Sequence, residues 1–171
     1  MQFNETNPTI SGNYYVAQGP DASPTGNFVV LQLYPGNSIP GQLGSFTVES
    51  NGNLATTNTS SDMPTMSLGV ANSTFSPSGN LFVTYDDNDN TSAGNNGIEI
   101  FKFNGTGPLT SYQKLLTGTP IDQVAWDSSN HMFALSKANN MLYVYTVTPS
   151  SITQDTAWSI GSPFKMVVVS E

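Results

Sequence analysis

The sequence predicts an all-β fold, a β-propeller of four-stranded antiparallel blades, and three observations carry the prediction. Proline joints recur at long intervals, a turn motif recurs within each interval, and an apolar strand follows that turn in the same register. Pro8, Pro64 and Pro120 stand 56 residues apart, and Pro163 follows 43 residues later. A period of roughly 40 to 55 residues filled with short strands and turns is the sequence signature of a propeller blade.

Each joint precedes a β-rich segment. The turn that follows reads Ser23-Pro24-Thr25-Gly26-Asn27 in the first unit, Ser76-Pro77-Ser78-Gly79-Asn80 in the second and Asp127-Ser128-Ser129-Asn130-His131 in the third. Proline presets one turn dihedral, and Gly or Asn tolerates positive φ, so each copy predicts a tight hairpin. The triplets Phe28-Val29-Val30, Leu81-Phe82-Val83 and Met132-Phe133-Ala134 then read as the next strand.

The third element of each unit repeats an aliphatic residue, an aromatic three later and an apolar residue two after that. Leu43, Phe46 and Val48 are one set; Ile98, Phe101 and Phe103 another; Leu142, Tyr145 and Val147 the third. Apolar positions fall on both parities, as a sheet covered on both faces requires. Leu54, Leu109 and Ile152 open the fourth strands. No segment combines a helical period with a cap and a charged face.

The expected organisation is a single partial propeller domain over residues 1–171. It has three blades at about 8–63, 64–119 and 120–162, then one closing strand over 163–171. The run Ser76 to Val83, the strand Ile98 to Phe103 and the terminal Pro163-x-x-x-Val167-Val168-Val169 resemble the YVTN and lactonase-type seven-bladed β-propellers, the group that includes 6-phosphogluconolactonase-like proteins. The resemblance covers most of the chain from Pro8 onward, and unit one departs most, through insertions at 19–22 and 34–42. It implies a closed ring, and three units fall below the usual minimum of about four blades. Two expectations follow: upstream blades in a longer chain, or completion of the ring by self-association.

Charge excludes one class of partner. The chain has four lysines, no arginine and a formal net charge of −8. Nucleic-acid binding needs cationic side chains to displace counterions from phosphates, so no nucleic acid is expected as a partner. Phosphorylated ligands also lose their best bidentate partner. With no cysteine, neither a disulfide framework nor a thiolate metal site can form. No apolar run reaches the roughly 20 residues that span a bilayer. The start, Met1-Gln2-Phe3-Asn4-Glu5, lacks the basic and apolar regions of a signal peptide. A surface made soluble by Asn, Ser, Thr and Gly rather than by charge points to an extracytoplasmic setting.

Candidate ligand-binding residues lie on the face formed by the second-to-third-strand loops and the joints between blades: Asp62, Asp86, Asp87, Asp89, Lys137 and Asn139. Asp86, Asn88 and Asn90 imitate the start of a calcium loop. The sixth position is Thr91 instead of Gly and the twelfth is Gly97 instead of Glu, so a solvated loop is expected and no metal. Asp122, just after a joint, is the candidate catalytic base, although no partner for it is visible. Asp127 takes the turn position of Ser76. His131, the single histidine, aligns with Asn27 and Asn80 in the turn. Trp126, Trp158, Tyr143, Tyr145 and Phe101 could stack on a sugar, but their strand positions favour packing between blades.

Asn4, Asn58, Asn72, Asn90 and Asn104 each head an Asn-x-Ser/Thr triplet, frequent by composition alone. No phosphate loop, metal cluster or serine triad stands out, and no cofactor is expected. The leading reading is a non-enzymatic binding or scaffold module for a protein or carbohydrate ligand. The alternative, implied by the resemblance, is a lactonase-like hydrolase of a sugar lactone.

Overall fold

The computed structural model describes residues 15–35, 41–68, 72–86 and 95–169. They contain twelve strands and no helix. The strands form three four-stranded sheets, each paired in sequence order with antiparallel neighbours. The first sheet holds β1 (Tyr15–Ala22), β2 (Phe28–Pro35), β3 (Gln42–Val48) and β4 (Leu54–Ala55). The second holds β5 (Asn72–Phe75), β6 (Leu81–Asp86), β7 (Gly97–Lys102) and β8 (Thr110–Leu115). The third holds β9 (Gln123–Trp126), β10 (His131–Ser136), β11 (Met141–Val147) and β12 (Ile152–Ser159). The first strands lie side by side, β5 between β1 and β9. Three meanders whose leading strands line up at one edge are three blades of a propeller.

The double-parity apolar pattern has the consequence predicted for it. Leu81, Val83, Tyr85, Ile98 and Ile100 pack on Val124, Met132, Ala134, Tyr145 and Val147 between the second and third sheets. The opposite face of the second sheet sends Phe75, Phe82, Phe101 and Phe103 against Val30 and Leu43 of the first. Every residue of β6 is therefore buried. Phe103 meets Phe28 edge-on at 5.3 Å and Phe75 meets Phe82 at 4.9 Å, which adds aromatic geometry to the area removed from water.

The recurring turns share one construction. The Gly26 N–H donates to the Ser23 carbonyl at 2.8 Å, and the Gly79 N–H to the Ser76 carbonyl at 2.9 Å. Gly26, Gly79 and Asn130 carry φ of 73, 72 and 67°, the left-handed conformation for which these residue types are suited. The third copy is one residue shorter than its alignment suggests. Val48 and Phe103 donate to the carbonyls of Asn27 and Asn80, but Val147 donates to that of Asn130. His131 pairs with Thr146 as Phe28 pairs with Thr47 and Leu81 with Lys102, so it is the first residue of β10 and not a turn residue.

The closing strand expected at 163–171, whose partner is expected in an upstream blade, is described for residues 163–169. Residues 163–169 form no ladder with a described strand. Instead the Gln123 side chain brackets the backbone of Met166: its Nε2 donates to the Met166 carbonyl (2.7 Å) and its Oε1 accepts from the Met166 N–H (2.9 Å). Met166 and Val168 are half-buried, while Phe164, Val167 and Val169 are 88%, 74% and 82% exposed. From Lys165 to Val169 the segment keeps the period of two of a strand, with Val167 and Val169 outward, and has no ladder partner among the described residues.

Candidate functional site

The face carrying the β2–β3, β6–β7 and β10–β11 loops is assembled by the joints. The joint after β8 turns on Leu116, whose carbonyl accepts the Thr119 N–H (2.8 Å), and is pinned by Gly118 N–H to the Asn96 carbonyl (2.8 Å). The Ile121 N–H then donates to the Asp86 carbonyl and the Asp122 N–H to the Leu135 carbonyl, both at 2.9 Å. These bonds bring Asp122, at the head of β9, beside the β10–β11 turn.

There Asp122 Oδ2 accepts the Lys137 backbone N–H at 2.7 Å, and Lys137 Nζ sits 3.3 Å from Oδ1. The Asp122 side chain is 15% exposed and that of Lys137 is 45% exposed. Both oxygens of the candidate base thus face cationic or N–H donors, an arrangement that fixes a turn and neutralises a charge. Lys137 Nζ also lies 5.9 Å from the Phe164 ring. Asn139 is exposed in the same turn. Asp122 and Lys137 are therefore brought together.

Of the remaining candidates, Asp62 is occupied locally. Asp62 Oδ2 accepts the Thr59 N–H at 2.8 Å and the Thr59 hydroxyl at 2.7 Å, and these bonds hold its carboxyl below the usual carboxylate range. Asp86 is buried at the end of β6. Asp87, Asn88, Asp89 and Asn90 lie outside the described residues, so the proposed calcium loop does too. Among the described residues no group of three or more His, Asp or Glu side chains gathers at metal-binding distances.

On the opposite end of the sheets, His131 Nδ1 lies 2.6 Å from Asp127 Oδ2, while Asp127 Oδ1 accepts the N–H groups of Ser129 (2.8 Å) and His131 (2.9 Å). The second of those bonds is the counterpart of Ser23 Oγ on the Phe28 N–H and Ser76 Oγ on the Leu81 N–H, each 3.2 Å. Desolvation pushes the Asp127 carboxyl up, but the bonds from His131 and Ser129 outweigh it and the net direction is down. Of the aromatic candidates, Phe101 and Tyr145 are buried, Trp126 and Tyr143 are partly buried on the cluster between the second and third sheets, and Trp158 is exposed on β12. Burial, then repulsion from Tyr143, pushes the Tyr145 phenol up to about 12.

Two polar residues that matter, Glu99 and Asp21, lie outside every motif, and a third, Asn58, stands in the sequence only as the head of an Asn-x-Ser triplet. Glu99, on β7, accepts the Ser67 N–H and the Ser67 hydroxyl, each at 2.9 Å, with the Leu68 N–H at 3.4 Å. A charge between Ile98 and Ile100 was a visible signal of a buried, satisfied carboxylate. Asn58 donates from Nδ2 to Ser45 Oγ at 2.8 Å, so that triplet's amide is inside the fold. Asp21, on β1, accepts from the Ser73 hydroxyl of β5; burial raises its carboxyl and that bond opposes the rise. Its Oδ2 is buried without a partner.

No family model and no curated protein matches the sequence. The structure is similar to a candidate 6-phosphogluconolactonase of Bacteroides uniformis, with a TM-score of 0.64 and 18% identity over 86% of this chain and 41% of that one. A second candidate 6-phosphogluconolactonase, from Bacteroides fragilis, gives 0.63 at 17% identity over 86% and 40%. The periplasmic gluconolactonase of Pseudomonas aeruginosa gives 0.59 at 12% identity over 87% and 44%. At such identities the likeness is one of fold. The chain shares its propeller fold with these proteins and spans about two fifths of their length.

Proposed function

We propose that the chain is a portion of a β-propeller that works as a binding or scaffold module, presenting a protein or glycan ligand with the face of its β2–β3, β6–β7 and β10–β11 loops. The proposal includes a single domain with blades at about 8–63, 64–119 and 120–162. The observation that carries it is the Asp122–Lys137 pair: the most reactive-looking carboxylate of that face is committed to a backbone N–H and an ammonium. A carboxylate held this way shapes a surface better than it abstracts a proton. The weakly charged surface, together with the likeness to a periplasmic gluconolactonase, supports an extracytoplasmic location. The YVTN relationship suggested by the turn and strand motifs belongs to the same reading.

The likeness to one gluconolactonase and two candidate 6-phosphogluconolactonases supports a second reading, hydrolysis of a sugar lactone. Hydrolysis of glucono-δ-lactone and of its 6-phosphate, measured against the spontaneous rate, separates the two. The binding reading expects the spontaneous rate with both substrates, unchanged in Asp122→Asn. Turnover above background that Asp122→Asn abolishes would replace it with the lactonase.

A further inference from the structure

The junctions between sheets are not equivalent. At the junction of the second and third sheets, Ile100 is fully buried and Lys102 Nζ sits 3.9 Å from the ring centroid of Tyr112, so the outer part is filled. By strand register, Ser45 and Thr47 occupy the positions of Ile100 and Lys102 at the junction of the first and second sheets. The outer strand β4 stops after two residues, whereas β8 has six. Small polar side chains and a truncated strand leave a cavity of about 140 Å³ there.

Its walls are Phe28, Ser45, Thr47, Thr57, Asn58 and Thr106, completed by Ala55 and Thr56, with no charged side chain. Two of them are fixed from within: Asn58 Nδ2 donates to Ser45 Oγ at 2.8 Å, and Ser45 Oγ donates to the Gly107 carbonyl at 3.0 Å. This chain of bonds ties β3, the segment after β4 and the β7–β8 turn together, so the wall is preorganised. Thr47, Thr57 and Thr106 are exposed at the rim, and the half-buried Phe28 supplies an aromatic side.

We propose that this groove between the first and second sheets is a binding site for a neutral saccharide. A pyranose offers hydroxyls around its edge and an apolar face of C–H groups. Threonine hydroxyls and methyls, an amide and one aromatic ring complement both, whereas the uncharged wall offers no cation to a phosphate or carboxylate. The site is at the end of the β1–β2 and β3–β4 turns, opposite the loop face, and stands independently of the function proposed for that face.

The test is amide NMR titration of the whole chain with glucose, galactose, mannose and N-acetylglucosamine, alongside inorganic phosphate and a neutral tripeptide. At least one sugar should produce saturable shifts at Thr47, Thr57 and Thr106. Thr47→Val and Thr106→Val are near-isosteric changes at exposed positions, so the circular dichroism spectrum should not change. Each should weaken that sugar roughly three- to ten-fold, the loss expected for one neutral hydrogen bond. The proposal is overturned if no sugar shifts these amides, if the tripeptide or phosphate shifts them instead, or if both valine variants bind the sugar as before.

Discussion

Glu99 takes both the N–H and the hydroxyl of Ser67, each at 2.9 Å, and by doing so fastens the joint between the first two sheets to the third strand of the second. The joint is also held to the first sheet, through Leu43 N–H on the Pro64 carbonyl (3.0 Å) and Met66 N–H on that of Gly41 (2.7 Å). Glu99 is 3% exposed, so its removal takes away a buried acceptor that serves the exposed Ser67 and the buried Leu68 N–H. Glu99→Ala should destabilise the fold by roughly 3 kcal/mol and Glu99→Gln by about half of that, read as shifts in the urea midpoint at unchanged slope.

The repeated turns give a second prediction. At φ of 73 and 72°, Gly26 and Gly79 would each hold a Cβ in the left-handed region. No heavy atom lies within 4 Å of a Cβ at Gly26, so Gly26→Ala isolates backbone strain and should cost about 1 kcal/mol. Asn130→Gly at φ 67° should be neutral or slightly stabilising. Thermal melts of the two variants check both signs.

What was legible in the sequence follows from how local each cause is. Strand identity and the burial of both faces depend on side chains alone, so Leu81 to Tyr85 and Ile98 to Phe103 announced themselves. The third turn misled because Asn130 does the work of the preceding copies' glycine in four residues, which shifts His131 into β10. The early end of β4 was hidden: Thr56 and Thr57 are good strand formers, and only the Asn58–Ser45 bond across 13 residues marks where the ladder gives way. Val167 to Val169 read as a strand, yet a ladder needs a partner that side-chain pattern cannot supply. The pairing of Asp122 with Lys137 depends on the joint's path, which no local motif records.

Asp127 gives a pH prediction. Its folded carboxyl is lowered, so its stabilising contribution is complete above the ordinary value of 3.8 and is lost as pH falls through the lower folded value. Asp127→Ala should therefore cost about 1 kcal/mol at pH 7, from the lost turn bonds, and progressively less below about pH 4. Denaturation curves of both proteins between pH 2 and 7 test this; a constant difference across the range would contradict it.

Asp21 should behave with the opposite sign. Burial raises its carboxyl, so the protonated form is favoured in the folded chain. Its contribution is present below 3.8 and is lost as pH rises through the raised folded value. Asp21→Asn keeps the shape and an acceptor for Ser73 without the charge. It should raise the melting temperature at pH 7, and the gain should shrink towards zero as pH falls below the ordinary carboxylate value.

The exposed side of residues 163–169 gives the last prediction. Phe164, Val167 and Val169 stand open, with Trp158 54% exposed on the outermost strand β12. Within the described sheets, comparable aliphatic positions such as Val83 and Ile100 are fully buried against a neighbour. Met166 and Val168 already face inward, so the segment covers the third sheet with one side and offers the other, without a ladder partner among the described residues, to whatever lies next. A terminal repeat that met only solvent would carry polar residues there. The isolated 171-residue chain should therefore associate at low micromolar concentration, as seen by sedimentation velocity. Val167→Lys with Val169→Lys places two charges on the outward side and leaves the inward Met166 and Val168, and the bonds of Met166 to Gln123, alone. That pair should shift the distribution towards monomer without lowering the melting temperature. A wild-type chain that sediments as a stable, cooperatively unfolding monomer would show that this side is covered within the chain itself.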